Sequence, residues 1–169
     1  MNDASRDTGP RPRIVVGVDD SPGGLAALRY AISLAEADGR PLVAVRSWAL
    51  GLPAHGGRRH QHQGREHPHV VLYFDDALAR AQSADFVRTA MREATGGIPW
   101  NVDLTIETPE GDPGVALVGI ATAGSDILVV GSDRGQSVRH LVHGSVGHYC
   151  REHASCPVIV VPAVGEPER

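Results

Sequence analysis

The sequence predicts an α/β protein in which helices cover both faces of a parallel sheet. Short apolar, β-branched segments alternate with Ala-rich amphipathic segments in the order βαβαβαβαβ, the order found in parallel sheets with helical crossovers. The 169 residues are 41% hydrophobic but only 4% aromatic, so Val, Leu, Ile and Ala must form the core. A Gly-rich, polar loop also follows one strand, between residues 131 and 147.

Two strands, one helix and a long loop are predicted in the first half of the chain. Residues 13–18 form an apolar strand, and Asp19-Asp20-Ser21-Pro22 after it is typical of a helix start with an Asp or Ser cap. Capping is an interpretation of both Asp20 and Ser21, and it is the preferred one for Asp20. Apolar residues at helical spacing continue this helix to Gly39. Residues 41–47 are the second strand, and residues 49–69, rich in Gly, Pro, Arg and His without periodicity, predict a surface loop.

A helix, a strand and a second helix are predicted in the middle of the chain. An Ala-rich amphipathic helix over 74–95 ends at Gly96-Gly97. Apolar and polar residues alternate over 102–107, as in a half-exposed strand. Gly111-Asp112-Pro113 begins the next helix, with Asp112 as its cap.

In the last part of the chain, the sequence predicts strands at 127–130 and 157–161 with a helix over 145–153 between them. A domain over 13–162 is therefore expected, between a disordered tail at 1–12 and a polar tail at 163–169.

Two strand ends carry the residues that point to a ligand. Asp19 follows the first strand and Gly131 follows the fourth. A strand, a Gly-rich loop and a helix start at Gly144-Ser145 are the order in which backbone N–H groups and a helix dipole bind phosphate. Ligands of parallel α/β sheets bind beyond the carboxyl ends of the strands, where the strand order reverses. If the two strands are neighbours there, Asp19 and the loop face one crevice.

These residues resemble the universal stress protein family over nearly the whole chain, except for the 49–69 loop. The resemblance rests on Val18-Asp19 with a following Ser, Arg46-Ser47-Trp48, Gly111-Asp112-Pro113, Val129-Val-Gly-Ser…Gly144-Ser145-Val146, and Cys156-Pro157-Val-Ile-Val-Val161. It implies a Rossmann-like, flavodoxin-like three-layer sandwich with a five-stranded parallel sheet in the order 3-2-1-4-5. It also implies an adenine-nucleotide site with the motif G-x2-G-x9-G-[ST].

By the resemblance, Asp19 contacts ribose or adenine, and the other site residues line the base pocket or hold the phosphates. The implied site residues are Gly17, Val18, Asp19, Ser47, Val130, Gly131, Asp133, Arg134, Gly144, Ser145, Val146 and Gly147. The ligand expected is ATP, ADP or AMP, and Mg²⁺ could accompany ATP. No resident metal is expected.

The chain departs from the family motif at two positions. Arg134 stands where the second Gly belongs, and Gly147 where many members carry Ser or Thr. Arg134 either contacts phosphate oxygens as a cation or fills the pocket. The second reading gives the alternative function, a dimeric interaction module that binds no nucleotide.

Other function classes fit less well. The Asp19-Asp20 pair resembles that of a phospho-accepting receiver domain, but the chain contains no Lys, so neither that phosphoryl site nor a GxxxxGK[ST] loop can form. The net charge of −4 argues against nucleic-acid binding. No catalytic constellation is recognised, so a binding protein is expected, with slow ATP hydrolysis left open.

Three further expectations concern the histidines, the cysteines and the location of the protein. A metal-responsive role is a weaker hypothesis for the histidines at positions 55, 60, 62, 67 and 69. Cys150 and Cys156 are expected to be buried, reduced thiols. No apolar run approaches the length of a membrane span, and a cytoplasmic protein acting in the stress response is expected.

The last strand, Val158–Val161, is apolar on both sides and lies at a sheet edge in the order 3-2-1-4-5. Such an edge is prone to pair with another strand. The family pairs two copies through this strand, so a homodimer is expected.

Overall fold

The computed structural model describes residues 11–49, 76–99, 101–132 and 145–163. The strands are β1 (Ile14–Gly17), β2 (Leu42–Val45), β3 (Leu104–Glu107), β4 (Ile127–Ser132) and β5 (Val158–Pro162). The helices are α1 (Pro22–Asp38), α2 (Asp76–Thr95), α3 (Pro113–Ile120) and α4 (Ser145–His153). The alternating order predicted from the sequence is confirmed.

The five strands form one parallel sheet in the order β3-β2-β1-β4-β5, as predicted. The chain starts in the middle of the sheet, adds β2 and β3 on one side, and then crosses β1 to add β4 and β5 on the other. β1 and β4 are therefore neighbours, with Ile14 paired to Ile127 and Val16 to Val129. Their carboxyl ends open at the point where the order reverses.

The side-chain alternation of the strands creates two separate cores. Ile14 and Val16 of β1 pack on the side covered by α1 and α2, together with Leu28, Ile32 and Met91. Val15 faces the opposite side, where α3 and α4 contribute residues such as Leu117 and Cys150. Strands with both faces buried must be apolar at every position, which explains the runs of Val, Leu and Ile.

Capping residues set where α1 and α3 begin. Ser21, not Asp20, is the N-cap of α1, and its Oγ accepts a hydrogen bond from Gly24 N at 2.9 Å. Asp112 caps α3 as predicted, with Oδ1 accepting from Gly114 N and Val115 N. The interpretation of Asp20 as a cap is wrong because Ser21, one residue later, is the residue whose side chain reaches the free amide of the first turn.

A partly buried ion pair between Arg13 and Asp126 links two strands at the amino end of the sheet. Asp126 has no solvent exposure, and it accepts hydrogen bonds from Arg13 N at 2.9 Å and from Arg13 Nη2 at 2.8 Å. Burial alone would raise the pKa of Asp126, but the hydrogen bonds from Arg13 outweigh it and the pKa is lowered. The pair ties the residue before β1 to the residue before β4.

Several predicted boundaries shift. β2 ends at Val45 rather than at residue 47, and β4 continues beyond residue 130 to Ser132. Most of the two predicted tails, nearly all of the 49–69 loop and its histidines, and the first two residues of the predicted 74–95 helix lie outside the described residues.

Cys150 and Cys156 are both free and buried, as predicted. Burial raises the pKa of the Cys150 thiol to about 11, which keeps this thiol neutral and poorly nucleophilic near neutral pH. Both cysteines pack in the core between the sheet and the layer of α3 and α4.

Candidate functional site

A pocket of about 210 Å³ opens at the carboxyl ends of β1, β2 and β4. Its lining residues are Gly17, Val18, Asp19, Asp20, Val45, Arg46, Ser47, Pro113, Leu117, Val130, Gly131 and Val146. The volume is below the roughly 300–1,000 Å³ typical of small-molecule sites, so these walls enclose only part of a ligand the size of a nucleotide. The pocket lies at the topological switch point, where the sequence places the crevice.

Seven of the residues predicted for the site lie together in this pocket. They are Gly17, Val18, Asp19, Ser47, Val130, Gly131 and Val146. Gly147 lies in the first turn of α4 but does not line the pocket. Asp133, Arg134 and Gly144 lie outside the described residues, and Ser145 is described only as the first residue of α4.

The carboxylate of Asp19 is held by the start of α1. Its Oδ1 accepts hydrogen bonds from Ser21 N at 3.0 Å and from Ser21 Oγ at 2.6 Å. A Cβ on Gly24 would overlap this oxygen, so the carboxylate occupies space that only Gly leaves open. Within the described residues the structure shows donors to Oδ1 and none to Oδ2.

Close packing of two backbones brings α1 against the end of β4. A Cβ on Gly131 would overlap the backbone of Gly23, and a Cβ on Gly23 would lie 2.6 Å from the carbonyl carbon of Ser132. Two Gly residues at this crossing let the first turn of α1 lie beside the strand end. Asp19 and Gly131 consequently face the same pocket.

The first turn of α4 supplies a wall of the pocket through Val146. The first amides of a helix have no partner within the helix, and the helix dipole makes this end positive. With Gly131 beside it, this part of the pocket is suited to an anion such as phosphate.

Helix α3, which covers the same face of the sheet as α4, closes one side of the pocket through Pro113 and Leu117. A Cβ on Gly17 would lie 3.1 Å from Leu117 Cδ1, so the Gly at the end of β1 makes room for this Leu. The sequence predicted the helix but not its part in the site. Its apolar residues lie on every face, so their periodicity does not show which face meets a ligand.

Arg46 and Asp20 are charged residues of the pocket that the sequence prediction did not include in the site. The guanidinium carbon of Arg46 lies 3.6 Å from the centroid of the Phe86 ring, and Nη1 donates to the Val18 carbonyl at 3.4 Å. Burial lowers the pKa of Arg46, while the charges of Asp20 and Asp19 act in the opposite direction. The described lining of the pocket therefore carries two carboxylates, Asp19 and Asp20, and one guanidinium-bearing residue, Arg46.

Two further properties of the described residues concern metal ligands and membrane-spanning helices. No group of three or more His, Cys, Asp or Glu side chains within them is arranged to hold a metal ion. None of the helices in these ranges combines the length and the apolar character needed to cross a membrane.

Solved structures share the fold. A universal stress protein in complex with cAMP aligns with a TM-score of 0.61 at 18% identity, covering 92% of this chain and 100% of the other. Universal stress protein UspA from Lactobacillus plantarum aligns at 0.59 with 21% identity, covering 90% of this chain and 99% of that protein. A universal stress protein from Archaeoglobus fulgidus aligns at 0.56 with 21% identity and the same coverage of both chains.

A comparison with curated proteins finds no match. The model of the universal stress protein family matches residues 10–162, which include all five strands, all four helices and every lining residue of the pocket. The chain belongs to the universal stress protein family.

Proposed function

We propose that this protein binds an adenine nucleotide in the pocket at the carboxyl ends of β1, β2 and β4. The observation that carries the proposal is the meeting of Asp19, Gly131 and the first turn of α4 around one pocket. One end offers a carboxylate and the other offers backbone amides and a helix dipole. A nucleotide has the matching polarity, with sugar hydroxyls at one end and phosphates at the other.

The individual contacts follow from the chemistry of the pocket. Asp19 Oδ2 accepts hydrogen bonds from ribose hydroxyls, because Oδ1 is already engaged by Ser21. The phosphates lie at Gly131 and the start of α4. Val18 and Leu117 provide apolar surface for the base. The cAMP complex of the structural relative supports an adenine ligand here.

Nucleotide titration tests the proposal. A fluorescent ATP analogue is expected to bind the wild-type chain, and Asp19→Ala is expected to weaken binding about tenfold, the loss of one or two charge-assisted hydrogen bonds. Asp38→Ala is the matched control, because Asp38 is the last residue of α1, at the end of that helix away from the pocket. Absence of binding at millimolar nucleotide would overturn the proposal.

The role of Arg134 decides between nucleotide binding and the non-binding alternative. Arg134→Gly restores the glycine of the family motif. Lower nucleotide affinity in this variant identifies Arg134 as a phosphate contact. A steep rise from no binding in the wild type supports the dimeric interaction module instead.

The biological output is proposed as regulation in the stress response by a cytoplasmic homodimer, and not as catalysis. β5 lies at the edge of the sheet, and Val158–Val161 remain only partly buried, as expected of a strand that pairs with a second copy. Sedimentation velocity at low micromolar concentration is expected to show a dimer. A clean monomer would contradict the dimer, and steady ATP turnover would contradict a purely binding role.

A further inference from the structure

We propose that the guanidinium of Arg46, supported from behind by the ring of Phe86, is the platform on which the base of the bound nucleotide stacks. The inference rests on the proposed nucleotide site and adds to it the residue pair that recognises the flat face of a purine. Neither residue belongs to the set that the sequence predicted for the site.

The first step is the geometry of the Arg46–Phe86 pair. The guanidinium carbon lies 3.6 Å from the centroid of the Phe86 ring, about the thickness of one aromatic layer. At so short a distance the guanidinium plane must lie nearly parallel to the ring, because an edge-on group would clash with it. One face of the guanidinium is therefore covered by Phe86 of α2.

The second step is the direction of the opposite face. Arg46 lines the pocket, and Phe86 packs against the core on the side of α1 and α2. The proposal places the guanidinium between this core and the pocket, at the carboxyl end of β2. A flat group entering the pocket over the end of β2 meets the guanidinium plane, and bases stack well on Arg planes and aromatic rings.

The third step is the rigidity of this platform. Arg46 N donates to the Glu107 carbonyl at 3.0 Å, so the backbone remains tied to β3 beyond the end of β2. At its tip, Nη1 donates to the Val18 carbonyl at 3.4 Å. Fixed at both ends, the side chain has lost much of its rotamer freedom before a ligand binds, which reduces the entropy cost of binding.

The position of the platform suits a base and not a phosphate. Gly131 and α4 lie at the β4 end of the pocket, and Arg46 follows β2, two strands away across β1. Neighbouring strands are about 4.8 Å apart, so the two ends are separated by roughly 10 Å. A mononucleotide with its phosphate at Gly131 would place its base near Arg46.

Arg46→Gln and Arg46→Lys separate stacking from charge. Gln removes the cation, whereas Lys keeps the charge and loses the plane. Both variants are expected to bind AMP about tenfold more weakly than the wild type, by isothermal titration calorimetry. Phe86→Leu, which keeps an apolar neighbour but removes the ring, is expected to lose severalfold. Thermal unfolding followed by circular dichroism establishes that each variant is folded.

Two controls sharpen the test. Arg80→Gln removes an Arg of α2 whose guanidinium carbon lies 5.6 Å from the centroid of the Trp48 ring. Arg80 does not line the pocket, so AMP affinity should not change. Ribose 5-phosphate, which has no base, should compete equally well for the wild type and for Arg46→Gln.

Each other outcome overturns the platform. Wild-type AMP affinity in Arg46→Lys would show that charge alone matters, and wild-type affinity in Arg46→Gln would show that there is no contact. An equal loss for AMP and ribose 5-phosphate would assign Arg46 to the sugar phosphate. These results leave the proposed function intact, whereas a wild-type chain that binds no AMP overturns both.

Discussion

The two ends of the sheet each place an Asp near an Arg, but they use the pair differently. At the amino end, Asp126 is fully buried and accepts hydrogen bonds from the backbone and the side chain of Arg13. At the carboxyl end, Asp19 is exposed, and within the described residues its carboxylate accepts hydrogen bonds from Ser21, while the Arg46 side chain donates a long one to the Val18 carbonyl. No ion pair joins Asp19 to Arg46 in the described part of the chain.

The difference separates stability from binding. The charges at the amino end are satisfied by the fold itself, so they contribute to folding and have nothing left for a ligand. At the carboxyl end, Asp19 Oδ2 and most of the Arg46 donors have no partner among the described residues. Removing a charge should therefore affect stability at one end and affinity at the other.

The largest expected effect is at the amino end. Asp126→Ala removes the buried carboxylate that accepts hydrogen bonds from the backbone and the side chain of Arg13, and we expect the free energy of unfolding to fall by about 3 kcal/mol. Urea denaturation measures this loss. Asp85→Ala removes an exposed i,i+3 ion pair with Arg88 and should change stability by less than about 0.5 kcal/mol. The nucleotide affinity of folded Asp126→Ala should equal that of the wild type. A tenfold loss of affinity would contradict the view that the amino end contributes to stability alone.

The next effect concerns the crossing of α1 and β4. Gly131→Ala inserts a methyl group into the backbone of Gly23, and we expect a loss of about 1–3 kcal/mol from overpacking, together with weaker nucleotide binding. The control is Gly119→Ala in α3, where an added Cβ meets nothing within 4 Å, and helix propensity should stabilise it by about 0.5–1 kcal/mol. Similar unfolding midpoints for the two variants would contradict the close packing.

A smaller effect is expected at the two helix caps. Ser21→Ala should cost about 1 kcal/mol of stability as the loss of an N-cap and should weaken nucleotide binding severalfold, because Asp19 loses a donor. Asp112→Ala should cost a similar stability but leave affinity unchanged, since Asp112 accepts from Gly114 and Val115, neither of which lines the pocket. Parallel calorimetry of both variants decides whether Ser21 positions Asp19 or only caps α1.

The last effect is on the pH dependence of stability. The pKa of Asp126 is lowered in the folded protein, so the unfolded chain binds more protons near the ordinary pKa of this group. The stability conferred by the pair is present above that pH and is lost as pH falls through the folded-state pKa. The difference in unfolding free energy between wild type and Asp126→Asn should narrow as pH falls below about 4, the ordinary pKa of an Asp side chain. A constant difference would contradict this assignment.

The fold could be predicted almost entirely from the sequence, because both faces of each central strand are buried and the helices alternate with the strands. The Asp19–Gly131 pairing followed from topology, since adjacent parallel strands end at the same edge of the sheet. The strand order itself was implied by the family resemblance and is confirmed by the structure.

Arg46 is missed as a site residue because the sequence predicts a second strand that extends through Ser47 and places Arg46 inside it. Propensity does not show that the strand ends at Val45, and the contact between the Arg46 guanidinium and Phe86, 40 residues later in the chain, is a tertiary contact that sequence periodicity does not reveal. Asp20 was assigned to a cap because cap residues look alike in sequence. The structure distinguishes the two residues: Ser21 accepts a hydrogen bond from the Gly24 amide of α1, and Asp20 lines the pocket.

The most direct test of the nucleotide pocket is a titration of the ¹⁵N-labelled protein with AMP, followed by amide chemical shifts. The account predicts that the perturbed amides cluster at the carboxyl end of the sheet, including Val18, Ser47, Gly131 and Val146, while those of Arg13 and Asp126 do not move. Perturbations centred on the amino end, or none at millimolar AMP, would contradict it.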